Sequence, residues 1–331
     1  MTGTDNLAEP GSPRRARQSQ LPGSAQGAGF GGGGVGLREM VEGAARVLDE
    51  AGVPSARHDA LALAAFALGR ERVDLVVPPQ MPDDFAGTYA ALVDRRRRRE
   101  PLQHIVGSTG FRYLTLAVEP GVFVPRPETE VVAGLAIEEA AARVATGVDP
   151  LVVDLCTGTG AIAVAVATEV PAARVVAVDL SEQAVALAAR NAAAAGARVR
   201  AEQGDVRDPA LLAELAGAVD VLVANPPYIP PDAEPTEPEV RDHDPDLALY
   251  GGGADGLDVP RAVLAAAVRL LRTGGLLVVE HAEVQADALL AAAEATGAFA
   301  EARTVDDLAG RPRALVARRT AAVSTWETAC P

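Results

Sequence analysis

From Pro150 onward the chain repeats one unit, a short apolar run that stops at a polar residue and gives way to a helix. Leu151–Leu155, Arg174–Val178, Arg198–Glu202, Val219–Ala224 and Gly275–Glu280 read as strands. Helices are expected at Ala161–Thr168, Ser181–Ala195 and Val259–Leu271. Such alternation predicts a parallel sheet covered on both faces, with ligands outside the carboxyl ends of the strands. Leu315–Ala317 can add a last strand.

The 331 residues exceed one minimal domain, and the region before Pro150 differs in kind. Residues 1–36 are polar and Gly-rich and read as a disordered leader. Residues 37–101 follow helical spacing and form a small helical domain, with Met40, Val41, Ala44 and Leu48 on one face. Residues 102–125, with Phe111, Tyr113, Leu116 and Val118 among glycines, suggest a β-hairpin linker. Residues 126–319 make the α/β domain, opened by a helix over about 130–145, and 320–331 read as a tail. Hydrophobic residues are 49% and aromatics only 3%, so the core is mostly Ala, Val and Leu. A net charge of −15 argues against general nucleic-acid affinity. Cys156 and Cys330 are too far apart to suggest a disulfide framework, and no apolar run has the length of a membrane span. A cytoplasmic protein is expected.

Four strand ends carry the chemistry. Asp154-Leu155-Cys156-Thr157-Gly158-Thr159-Gly160 sits between a strand and a helix, where glycine permits a sharp turn and the helix start offers free N–H groups. Gly158, Gly160 and Ala163 also satisfy the dinucleotide-binding pattern. Asp179 ends the second strand and suits a ribose of either NAD or S-adenosylmethionine, or else caps the next helix. Asp205, after the third, either reaches an adenine or belongs to a solvated turn. Asn225-Pro226-Pro227-Tyr228 follows the fourth. Its prolines lack N–H groups, so the segment presents acceptors and an aromatic ring, a site for a planar group bearing an NH2.

Asn225 to Tyr228 after a Gly-rich turn resembles the class I (Rossmann-like) methyltransferases of amide and exocyclic amino nitrogens. Several further segments are similar to the HemK/PrmC protein-glutamine N5-methyltransferases: Phe123–Glu130, Glu100-Pro101-Leu102 with Gly107 and Phe111, Gly252–Leu257 and Asp307–Arg311. Related ribosomal-protein methyltransferases typically have Ser where this chain has Pro127. The resemblance implies S-adenosylmethionine as cofactor and the glutamine of the Gly-Gly-Gln loop of class 1 peptide release factors as substrate. It places Gly158, Thr159, Gly160, Ala161 and Ile162 at the methionine end of the cofactor. It also sets Asp179 at the ribose, Val206 near the adenine, and Asn225, Pro226, Pro227 and Tyr228 around the glutamine. The chain departs from the family pattern in two places: Cys156 stands where glycine is common in the loop, and His281-Ala282 follows Glu280 where the family usually has a glycine.

Other features stay open. Arg95–Arg99 reads as a contact for an acidic partner or RNA, or as a solvated helix end. The Pro-rich, acidic stretch 229–258 reads as a substrate-embracing lid or as disordered. The four histidines have no metal-ligand spacing, so no metal is expected, and Cys156 suits packing better than nucleophilic attack. An adenine methyltransferase, an NAD-dependent oxidoreductase and a non-catalytic protein-binding module are the competing readings.

Overall fold

A computed structural model of the chain describes residues 36–321. The leader and nearly all of the expected tail, with Cys330, lie outside the described residues.

Three helices open the described chain: α1 (Leu37–Glu50), α2 (Ala56–Ala67) and α3 (Phe85–Arg97). Leu37, Met40, Val41, Ala44 and Leu48 recur at helical spacing on α1 and are buried. Phe85 and Tyr89 stack at 5.4 Å, and the Tyr89 hydroxyl donates to the Ala60 carbonyl at 2.9 Å.

The linker departs from a plain hairpin. It begins with a short helix, α4 (Leu102–Val106), that Gly107 ends in the left-handed conformation. The hairpin proper is shorter, β1 (Ser108–Phe111) paired antiparallel with β2 (Leu114–Ala117). Phe111 and Leu116 turn inward to the α/β core, while Tyr113 at the turn is exposed.

The α/β region runs α5 (Thr129–Ala145), β3 (Leu151–Leu155), α6 (Ala161–Glu169), β4 (Arg174–Asp179), α7 (Glu182–Ala194), β5 (Val199–Gln203) and β6 (Val219–Ala224). After two short helices, α8 (Pro238–His243) and α9 (Asp246–Leu249), come α10 (Asp258–Leu270), β7 (Leu271–Glu280), α11 (Ala286–Ala295), β8 (Phe299–Asp306) and β9 (Pro312–Arg319). The sheet order is β5-β4-β3-β6-β7-β9-β8. Its first five strands are parallel, and β9 runs antiparallel to both neighbours. Strand β8 has no continuous apolar run, and Glu301 breaks its register at a φ of 54°. Edge pairing to β9 makes it a strand.

Alternate residues of the central strands feed two cores. Val152, Val221, Val223 and Val278 face α5 and α6, while Val153, Leu222 and Val279 face α10 and α11. The chain moves outward from β3 through β4 to β5 and then returns to β6 on the other side. The ends of β3 and β6 therefore flank the switch point, where such sheets open a crevice.

Candidate active site

At the end of β3, Asp154 is fully buried. Its Oδ2 accepts from the Thr157 hydroxyl at 2.6 Å and from the Ala163 N–H at 3.1 Å, while Oδ1 has no partner among the described residues. Burial pushes this carboxyl up to about 7. Cys156, Gly158 and Gly160 all take positive φ, at 60°, 56° and 81°. Cys156 thus holds a conformation that favours glycine. Burial, with the nearby Asp179, Asp154 and Asp205, raises its thiol well above the ordinary range, which keeps it protonated and unsuited to attack. Asn191 of α7 donates to the Thr159 carbonyl at 2.9 Å and to the Ala117 carbonyl at 3.0 Å, and accepts from the Ala117 N–H. One side chain thereby ties the glycine turn to the hairpin.

Asp179 ends β4. Its carboxylate accepts the Gly158 N–H at 2.8 Å and the Ser181 N–H at 2.9 Å. The cap of α7 is Ser181, whose hydroxyl accepts from the Ala184 N–H. Asp179 instead braces the glycine turn from the next strand, and burial raises its carboxyl. Asp205 accepts from the Arg207 guanidinium through both oxygens, which hold it below the ordinary carboxylate range.

The end of β6 is built differently. The strand is buried throughout and delivers Asn225, whose Nδ2 donates to the Thr129 hydroxyl oxygen at 3.1 Å. The Tyr228 carbonyl accepts from Gln285 Nε2 at 2.7 Å, and the same NH2 donates to the Asp255 carbonyl at 2.8 Å. Gly256, at a φ of 74°, presses against the backbone of Tyr228 and Ile229, where a Cβ would collide with the Tyr228 carbonyl. Glu280, ending β7, is buried beneath this segment, and burial pushes it up to about 7 against the opposing Thr129 hydroxyl and Arg313. Burial and then the Glu280 charge raise the Tyr228 phenol.

One cavity of about 690 Å³ joins these strand ends. Its lining includes Gly158, Thr159, Ala161, Ile162, Asp179, Asp205, Val206 and all of Asn225 to Tyr228. Gly160 is outside the lining; it packs on α7, where a Cβ would meet the Ala188 Cβ at 2.9 Å. The residues fit a nucleoside joined to an amino acid. Asp179 stands at one strand end, and Thr159, beside the α6 N-terminus, holds a buried hydroxyl with no partner among the described residues. Thr129, Glu280, Gln285 and Asn191 gain their roles only in three dimensions. Two of them carry a readable signal: Thr129 lies in the Phe123–Glu130 segment, and Glu280 is polar at the end of a strand like Asp154, Asp179 and Asn225.

The stretch 229–258 folds into α8 and α9 and lines the cavity through Pro235, Val240 and Leu247, so the disordered reading falls. Glu239 holds it to the helical region, accepting from Arg96 at 2.7 Å and from Arg99 at 2.6 Å. Arg96 is itself buried and also donates to Asp59 at 2.7 Å. Arg95 pairs with Glu100, and Arg97 and Arg98 with Asp94. The arginine run is thus neither a free patch nor merely a solvated helix end. Among the described residues no group of three or more His, Cys, Asp or Glu is placed to hold a metal ion, and no helix is long and apolar enough to cross a membrane.

A model of the PrmC N-terminal domain matches residues 39–107, and one of a methyltransferase domain matches 152–243. With the sheet order and a cavity shared by the glycine turn, Asp179 and Asn225 to Tyr228, this defines an S-adenosylmethionine-dependent methyltransferase. The chain is 50% identical over 286 residues to a release factor glutamine methyltransferase of Streptomyces coelicolor, covering 86% of this chain and 98% of that one. It is 46% identical over 290 residues to the release factor glutamine methyltransferase of Mycobacterium tuberculosis H37Rv, covering 86% and 91%. A 4-amino-L-phenylalanine/4-methylamino-L-phenylalanine methyltransferase of Streptomyces pristinaespiralis is 42% identical over 273 residues, covering 80% and 90%. The chain belongs to the release factor glutamine methyltransferase family.

Proposed function

We propose that this chain transfers a methyl group from S-adenosylmethionine to the side-chain amide N5 of the glutamine in the Gly-Gly-Gln motif of class 1 peptide release factors. The observation that carries the reading is the engagement of Asn225. With its NH2 given to Thr129, its Oδ1 is left as an acceptor beside a segment whose two prolines offer no donors. Such a site suits a carboxamide NH2.

In this reading Gly158, Thr159, Ala161 and Ile162 hold the methionine end of the cofactor, Gly160 shapes the turn from behind, Asp179 takes the ribose, and Asp205 and Val206 flank the adenine. Bound there, S-adenosylmethionine supplies an electrophilic methyl group. An amide nitrogen is a poor nucleophile because its lone pair is shared with the carbonyl. Asn225 Oδ1 and the Pro226 carbonyl accept its two N–H bonds, orient the lone pair and favour positive charge on nitrogen, while Tyr228 stacks on the amide plane. As the N–CH3 bond forms and the S–CH3 bond breaks, its electron pair leaving with the sulfur as a neutral thioether, the nitrogen becomes acidic and sheds one proton to water, so no strong base is required at the outset.

The similarity to an enzyme of aromatic amines supports a second reading, methylation of an aryl NH2, which needs the same acceptors. The net charge of −15 speaks against direct nucleic-acid binding, and a cytoplasmic site of action completes the proposal. The test is incubation with labelled S-adenosylmethionine and a release factor, beside that factor's Gln→Ala variant in the Gly-Gly-Gln loop. Label on the unaltered factor alone is expected. Labelling of 4-amino-phenylalanine in place of the factor establishes the second reading.

A further inference from the structure

Gln285 lies in the turn between β7 and α11 and takes no part in the mechanism above, yet it is only 6% exposed. Its NH2 donates to the Tyr228 carbonyl at 2.7 Å and to the Asp255 carbonyl at 2.8 Å. Its Oε1 accepts from the Ala282 N–H at 3.2 Å. Two acceptors meet the nitrogen and one donor meets the oxygen, so a single orientation of the carboxamide satisfies all three. We propose that Gln285 is a positioning residue that fixes the Tyr228–Ile229 peptide and so sets the Pro226 carbonyl and the Tyr228 ring against the substrate amide. The inference rests on the glutamine reading and deepens it.

The prolines make such a tie necessary. Pro226 and Pro227 have no N–H, so neither can anchor the segment by donating, and the Pro226 carbonyl is given to the substrate. Anchoring falls to the flanks. On one side Asn225 donates to Thr129. On the other, the Tyr228–Ile229 peptide is held at both ends: its N–H donates to the Leu249 carbonyl at 2.8 Å, and its carbonyl accepts from Gln285. Leu249 belongs to α9 and Gln285 to the turn after β7, so two distant segments set the plane of one peptide.

Close packing does not replace this tie. Tyr228 and Ile229 line the active-site cavity and also a second one of about 270 Å³, whose wall includes Leu257 and Gln285. A peptide bordered by two cavities keeps its plane through hydrogen bonds. Gly256 presses on the same backbone, and its neighbour Asp255 is the second acceptor of Gln285. One carboxamide therefore holds the peptide and the loop packed on it in register.

The experiment measures kcat and KM for release-factor methylation, with cofactor Kd, for the unaltered chain, Gln285→Met and Gln285→Glu. The first variant keeps the length of the side chain without an N–H; the second keeps its shape and, when ionised, can only accept. Each is expected to lower kcat by about tenfold or more, with cofactor Kd and the KM for the factor within about twofold of normal. Misplaced acceptors disturb the reacting geometry and leave both binding steps alone. A kcat within about twofold of normal in either variant overturns the proposal, as does a loss shared equally by kcat and cofactor affinity. If Gln285→Met binds no cofactor, Gln285→Glu decides by the same split; if neither binds it, the role is structural and the proposal falls. An unaltered chain that binds cofactor but never labels the factor instead refutes the glutamine reading beneath it.

Discussion

At the end of β3 the cavity wall is held by near neighbours: Asp154 grips Thr157 three positions on and Ala163 nine positions on. At the end of β6 it is held across the chain, with Asn225 leaning on Thr129 at a separation of 96 residues and Tyr228 on Gln285 at 57. The first end closes within β3, α6 and the adjoining strand–helix unit, where Asp179 and Asn191 brace the turn over 21 and 32 residues. The second exists only after the sheet, the start of α5 and the Gly252–Leu257 loop have all docked. Cofactor binding should therefore outlast substrate positioning as the fold is loosened.

The largest effect is expected at the long-range end. Asn225→Ala should lower kcat by about 10²-fold or more while cofactor affinity falls far less, as steady-state rates and equilibrium titration will show. Equal losses in both would erase the distinction between the two ends. Gly256→Ala comes next, because its Cβ would overlap the Tyr228 carbonyl at a positive φ. A destabilisation of about 1–3 kcal/mol in denaturant unfolding is expected, with turnover reduced and cofactor affinity kept. A variant that turns over normally would show that this loop does not set the segment.

The local end is probed more gently. Asp154 is pushed by burial from 3.8 up to about 7, so the fold favours its neutral form. That contribution to stability is complete below pH 3.8 and lost as pH rises through about 7. Asp154→Asn keeps one oxygen for Thr157 and Ala163 and cannot titrate, so relative to it the unaltered chain should lose thermal stability between about pH 4 and 7. Parallel melting curves across that range would refute the assignment. Smallest of all, Cys156→Gly relieves a left-handed cysteine and should gain under about 1 kcal/mol, leaving cofactor affinity unchanged. A loss of stability would mean that thiol packing outweighs backbone strain at this position.

The same contrast governs what could be read from the sequence. Strand ends, glycine spacing and Asn225-Pro226-Pro227-Tyr228 are local patterns, and each lies at the cavity or, for Gly160, directly behind it. Gln285 carries no such mark, and Thr129 stands out only as part of the Phe123–Glu130 segment, because nothing near them in the chain says what they will meet. Strand β8 was missed for a related reason: its pairing comes from β9, not from its own composition. Arg96 is intermediate. Within five arginines it looks like its neighbours, yet Tyr89, Leu92, Val93 and Arg96 follow helical spacing, and all four are buried on α3. The helix phase held the answer that the charge run hid.

That inward-turned arginine has a consequence for ionic strength. All five arginines of the run are matched by carboxylates of the chain itself, and the pairing of Arg96 with Asp59 and Glu239 is shielded from solvent. Added salt screens exposed charges over a Debye length of about 8–10 Å at ordinary concentrations but reaches buried pairs far less. The most basic segment of an acidic protein is thus spent on an internal joint that counterions barely reach. Salt should act first on the exposed pairs with Asp94, leaving the attachment of α8 to the helical region in place.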